Sequence, residues 1–136
     1  MKLHSICYVS TVSDYLDSNG MANLFNEIIS KNNAIGITGL LLHSDGNFMQ
    51  IMEGQKNLVV SLYESIKNDP RHHHMIEILS QPIEHRIYEN YQTGFSIVNT
   101  EKAIFKLKLY VNWLEKNFEG VIKTQAEIIQ PFIKYI

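Results

Sequence analysis

The chain has 136 residues, 45% of them hydrophobic, and a formal charge of −2 at pH 7. That length and apolar content suit one globular domain that buries a core without disulfides or a structural metal, and the small net charge gives no electrostatic reason to expect a nucleic acid or an anionic membrane as partner. A lone cysteine, Cys7, cannot form an intramolecular disulfide; the opening MKLHSICYVS is too short and polar for a signal peptide, and no apolar run reaches the about 18 residues of a membrane span, which together predict a soluble, cytoplasmic protein.

Leu3 to Val9 is a β-prone run closed by the turn chemistry of Ser10, Thr11, Ser13 and Asp14. Met21, Leu24, Phe25, Ile28 and Ile29 then recur at spacings of three and four behind Asp17 and Ser18. That is an amphipathic helix with its N-cap, expected to stop near Asn32 and Asn33 before Gly36. Ile35 to Leu42 and Asn47 to Met52 flank Ser44-Asp45-Gly46, a β-hairpin, because Asp-Gly tolerates the positive φ angles of a tight turn. Leu58, Val59, Leu62 and Ile66 mark a second helix, closed by Asn68-Asp69-Pro70. Met75 to Leu79, ended by Pro82, reads as a fourth strand and Tyr91 to Val98 as a fifth.

The order is β-α-β-β-α-β with an additional strand, an α+β, ferredoxin-like sandwich in which both crossover helices cover one sheet face. The tail offers a cover for the other face. Ile104, Leu107, Val111, Leu114 and Phe118 form a seam widened by Phe105, Leu109 and Trp113, and Ile122, Ala126, Ile129 and Ile133 form a second stripe beyond Gly120. The expectation is a C-terminal helical hairpin packed on that face, with residues 1–98 as the ligand-binding domain and 99–136 as a helical appendage.

Three polar residues break the apolar pattern. Strand alternation puts Ile6, Tyr8 and Ser10 on one face of the first strand and Phe48, Gln50 and Met52 on one face of the third, its expected neighbour. Asn32 extends the buried stripe of the first helix, so Tyr8, Asn32 and Gln50 converge between helix and sheet if both strand faces point at the helices. A stranded buried polar group costs roughly 1–3 kcal/mol, so these groups satisfy one another or a ligand. Gln50 is informative because a half-turn of its amide exchanges donor and acceptor.

Other chemistries find less support. An RNA module of this topology would show aromatics and basic charge on the bare sheet face, where Leu3, Ser5, Cys7, Met49 and Ile51 are expected instead. ISKNNAIGITG lacks the spacing of a phosphate-binding loop. His72, His73 and His74 are adjacent, without ligand spacing, and read as a solvent-facing loop and not a metal site. No enzymatic turnover is expected.

Tyr8 in ICYVS, Asn32 followed by the GITG of residues 36–39, Gln50 in GNFMQIMEG, and Asp69, Arg71 and His72 in DPRHH carry a resemblance. From about Leu3 to Phe95 the chain resembles a BLUF domain, a blue-light sensor that uses flavin, of the short single-domain type. The resemblance implies FAD, or FMN, held between the two helices. Asn32 would meet the polar edge of the ring, and Asp69, Arg71 or His72 the ribityl or phosphate end. Ile35, Ile37, Leu40, Phe48 and Ile66 are suitable walls. It also implies that Tyr8 gives an electron and a proton to the excited flavin, that Gln50 ends rotated or tautomerised, and that Tyr91 and Thr93 relay the change through the fifth strand and the C-terminal helices. The family commonly has tryptophan and methionine at those two positions, a small hydroxyl residue at Ile28 and a longer basic or imidazole side chain at Ser65. The implied partners are the flavin, a downstream signalling protein and a second copy of the chain. The alternative is a BLUF-like interaction module that has lost flavin or signalling.

Overall fold

The computed structural model describes residues 2–134 and 136. Strand β1 (Leu3–Val12) is apolar at nearly every central position, and Ile6, Cys7 and Tyr8 are all buried, as expected of a strand covered on both faces. It lies between β4 and the central β3 in a five-stranded sheet ordered β4-β1-β3-β2-β5, formed with β2 (Thr38–Ser44), β3 (Asn47–Gln55), β4 (His72–Ile83) and β5 (Phe95–Val98). β1 pairs antiparallel with β3 and β4, and β2 with β3. Asp45 and Gly46 join β2 to β3 with φ of 51° and 76°, the two positive values of a tight hairpin turn.

Helix α1 (Ser18–Ala34) is capped by Asp17, whose carboxylate accepts a 2.7 Å bond from the Gly20 amide. Helix α2 is Lys56–Lys67. Both pack on the sheet face that carries Ile6, Tyr8, Leu41, Phe48 and Met52, with Leu24, Val59, Leu62 and Tyr63 completing a buried core. This is the expected ferredoxin-like arrangement.

Two strands differ from expectation. β4 starts at His72, not Met75, and runs through Pro82 to Ile83. An edge strand tolerates proline because one row of its amides needs no ladder partner, so the histidine triplet opens a strand instead of forming a loop. His74 sits there at φ 53°, where the pairing with β1 shifts register between Val9 and Thr11. β5 has only four residues, and Tyr91 and Thr93 lie in the turns that precede it. The extended pattern is broken by Gly94 at φ 73° and by a turn in which the Tyr91 amide donates to the Tyr88 carbonyl at 3.2 Å.

A buried carboxylate organises that irregular segment. Glu53 accepts from the amides of Ile87 (2.8 Å) and Tyr88 (2.7 Å) and from the Thr38 hydroxyl (2.9 Å). Burial pushes its pKa above the ordinary value, against the opposing pull of those bonds and of Arg86. A carboxyl whose folded-state pKa is raised contributes most to stability below its unfolded value of about 4.3, and the contribution is lost as pH rises through the folded value. Glu53→Gln is therefore expected to flatten the decline of stability between pH 4 and neutrality, measured by urea unfolding at a series of pH values; an unaltered slope would contradict the assignment.

The chain divides into two compact units, Met1–Ile97 and Val98–Ile136. In the second, α3 (Glu101–Asn117) and α4 (Gly120–Ile133) pack against each other. Leu107, Val111 and Leu114 are buried on α3, and Gln125, Ala126, Ile129 and Ile133 on α4. Phe105, Leu109 and Trp113 do not join the buried seam; they are 61%, 54% and 49% exposed. No helix among the described residues is long and apolar enough to cross a membrane.

Candidate functional site

The gap between α1, α2 and the sheet encloses a cavity of about 480 Å³. Tyr8, Asn32 and Gln50 all line it. Register explains the first meeting: Tyr8 on β1 stands directly across from Gln50 on β3, and Leu41 on β2 flanks Gln50 from the other side. The Tyr8 hydroxyl donates to Gln50 Oε1 at 2.6 Å, with both residues buried. Burial raises the Tyr8 pKa, so the phenol keeps its proton over the whole accessible pH range. Asn32 arrives from the last turn of α1. Its Nδ2 is buried and has no hydrogen-bond partner among the described residues, an orphan that points to a missing acceptor.

Apolar walls come from Leu24 and Ile28 of α1, Leu62 and Ile66 of α2, and Leu41 and Phe48 of the sheet. The exposed lining residues Glu27, Lys31, Ser65 and Pro70 form the rim. Arg71 is held there by carboxylates on two sides. It reaches Asp69 at 2.7 Å and Glu27 at 2.8 Å, and its guanidinium keeps both carboxyls below their ordinary range. His72 closes the wall beside Tyr8, with ring centroids 5.8 Å apart. Its Nε2 lies 2.8 Å from the Ile66 carbonyl, which only accepts, so Nε2 carries the proton and the Ser10 hydroxyl at 2.8 Å can donate to Nδ1. The arrangement is a mostly apolar slot with a few converging polar groups and basic side chains at its edge, as small-molecule sites require.

A family described as "Sensors of blue-light using FAD" matches residues 3–94. The chain belongs to the BLUF family. The chain is 33% identical over 136 residues to the photoactivated adenylate cyclase subunit alpha of Euglena gracilis, covering 99% of this chain and 13% of that one. To subunit beta of Euglena longa it is 30% identical over 120 residues, covering 88% and 14%. It thus spans about an eighth of the length of these curated relatives. Among solved structures, BlrP1 of Klebsiella pneumoniae, in a calcium and cyclic-diGMP complex, superposes with a TM-score of 0.76 at 25% identity over 98% of this chain and 34% of that one. The fold is shared with the dark state of BlrB, a BLUF protein, with a TM-score of 0.71 at 22% identity over 99% and 98%.

As a BLUF domain, the chain is a flavin-binding sensor of blue light. Of the residues expected from sequence, Tyr8, Asn32, Phe48, Gln50, Ile66, Asp69, Arg71 and His72 line one cavity, and Ile35, Ile37, Leu40, Tyr91 and Thr93 do not. Ile37 shares the face of Leu41 by parity but sits at the far end of the core, against Gly54. Leu40 pairs with Ile51, on the opposite face. Leu24, Glu27, Lys31, Leu41 and Leu62 line the BLUF cavity without having been singled out. Their signals were present: counting back from the Ser44 and Asn47 pair puts Leu41 opposite Gln50, and Leu24, Glu27 and Lys31 fall three and four residues apart on the α1 face that ends at Asn32. Cys7 faces away from the slot and is buried.

Proposed function

We propose that residues 1–98 hold FAD in this cavity and use Tyr8 and Gln50 as a photochemical switch, with residues 99–136 as an appendage. The observation that carries the reading is the buried Tyr8 and Gln50 hydrogen bond of 2.6 Å in a cavity that also contains Asn32 Nδ2, which has no hydrogen-bond partner among the described residues. These residues fit a flavin: Asn32 Nδ2 is a donor for a ring carbonyl, the leucines and isoleucines suit its flat faces, and Lys31 and Arg71 suit a phosphate-bearing tail. When bound, a flavin supplies blue-light absorption and an electron-accepting ring. Tyr8 is then the electron donor, releasing its proton from Oη toward Gln50 Oε1. Gln50 is the part that moves. A half-turn of its amide presents Nε2 to Tyr8, whose oxygen can accept, and turns Oε1 toward the cavity. Leu41, Phe48 and His72 exclude water from the pair, so the exchanged bonds are not diluted by solvent.

The output would leave through Tyr91 and Thr93 to β5 and the helical unit, toward a signalling protein or a second copy of the chain; the exposed Phe105, Leu109 and Trp113 of α3 favour such an interface. The preference for a phosphate-bearing flavin over riboflavin rests on Lys31 and Arg71, which line the cavity beside the carboxylates of Glu27 and Asp69. Titration with the three flavins is expected to rank riboflavin weakest, and Lys31→Ala and Arg71→Ala are each expected to weaken FAD and FMN about tenfold, the size of one charge-assisted bond, while leaving riboflavin unaffected. Equal losses for all three flavins would contradict the phosphate role, and a chain that takes up none of them would contradict the reading as a whole.

A further inference from the structure

Residues 84–94 form no helix or strand, yet both ends of the segment are held by side chains. At its start, Glu53 gathers the amides of Ile87 and Tyr88, and Arg86 donates to the carbonyls of Gly36 (2.8 Å) and Glu53 (3.1 Å) and to the Thr38 hydroxyl (2.9 Å). At its end, Asn33 Oδ1 accepts from the Phe95 amide at 2.9 Å. Gly94 makes room for that contact, because a Cβ there would stand 2.5 Å from the same oxygen. The two holding residues are close in the chain to the two cavity carboxamides. Asn33 follows Asn32 in α1, and Glu53 lies three residues beyond Gln50 on β3, facing the other side of the sheet.

We propose that Glu53 and Asn33 form a two-point clamp that hands a change at Gln50 or Asn32 to residues 86–95, and through them to β5. The proposal rests on the light-sensing reading above. Its physical basis is the cost of letting go. A buried carboxylate with three donors cannot be displaced from its amides without stranding polar groups, so a shift of β3 carries Ile87 and Tyr88 with it. Tyr88 then moves Tyr91, which is bonded to the Tyr88 carbonyl and meets its ring edge-on with centroids 6.3 Å apart. Neither Glu53 nor Asn33 lines the cavity, so both act by positioning.

The test is amide hydrogen exchange of residues 84–98 in the full chain with FAD, dark and illuminated, alongside the flavin absorption spectrum. In the wild type, light is expected to change the exchange of this segment. Glu53→Ala and Asn33→Ala should each lose that light-dependent change while keeping the spectral shift, and Asn33→Asp, which retains an acceptor for the Phe95 amide, should keep both. Asn33→Ala carries the test alone if Glu53→Ala does not fold. A light response in the segment that survives Glu53→Ala or Asn33→Ala would overturn the clamp, as would a wild-type spectral shift with no change in exchange. A wild type with no spectral shift would overturn the light-sensing reading and the clamp with it.

Discussion

Replacing Tyr8 with phenylalanine is expected to leave flavin bound and to abolish the light-induced red shift of its absorption. The ring itself remains, so the contacts with Tyr63 at 6.0 Å and His72 at 5.8 Å survive, and the cavity keeps its shape. What disappears is the hydroxyl that donates to Gln50 Oε1. The amide then has no phenol to exchange donor for acceptor against, and the chain has no proton to release from that position. Stability is expected to fall by about 1–3 kcal/mol, because a buried carbonyl oxygen loses its partner. Absorption spectroscopy before and after blue light checks the first claim and urea unfolding the second. A red shift that persists in Tyr8→Phe would assign the switch to another residue.

Gly39→Ala is expected to be the most damaging single methyl added to the sheet. Gly39 pairs with Met52 at φ 129°, and a Cβ there would stand 2.0 Å from the Ile51 carbonyl oxygen and 2.9 Å from its carbon. Both atoms are backbone, so no side chain can swing aside. The clash and the strained φ together are expected to cost roughly 3–5 kcal/mol, a large share of the about 5–15 kcal/mol that holds a typical domain together. Relief would require β2 to part from β3, which also removes Leu41 from its place beside Gln50. Flavin uptake should therefore fall with stability. Gly46→Ala is the control: its φ of 76° is strained for alanine, but nothing lies within 4 Å, so only about 1 kcal/mol is expected. Urea midpoints that are the same for the two variants would refute the close-approach argument.

Much of the site could be read from the sequence because it depends on local rules. Asp17 announces the start of α1, Asp45-Gly46 fixes the hairpin, and alternation turns that hairpin into a statement about which side Gln50 faces. The meeting of Tyr8 with Gln50 then follows from the strand order of a familiar topology. What escaped is non-local. RIYENYQTGFSI has the look of one long strand, and nothing within it says that Glu53, more than 30 residues earlier, draws two of its amides out of an extended ladder. In the sequence Pro82 reads as a terminus, because the edge position that tolerates it is a property of the assembled sheet. Likewise the motif places Arg71 beside Asp69, but its second carboxylate, Glu27, comes from helix α1, 44 residues away in the chain, and is visible only in three dimensions.

The most direct measurement is the light-minus-dark absorption difference of the purified full chain supplied with FAD. The account predicts a yellow protein whose flavin band moves to longer wavelength under blue light and returns in the dark. A chain that stays colourless, or one whose bound flavin shows no such displacement, would contradict it.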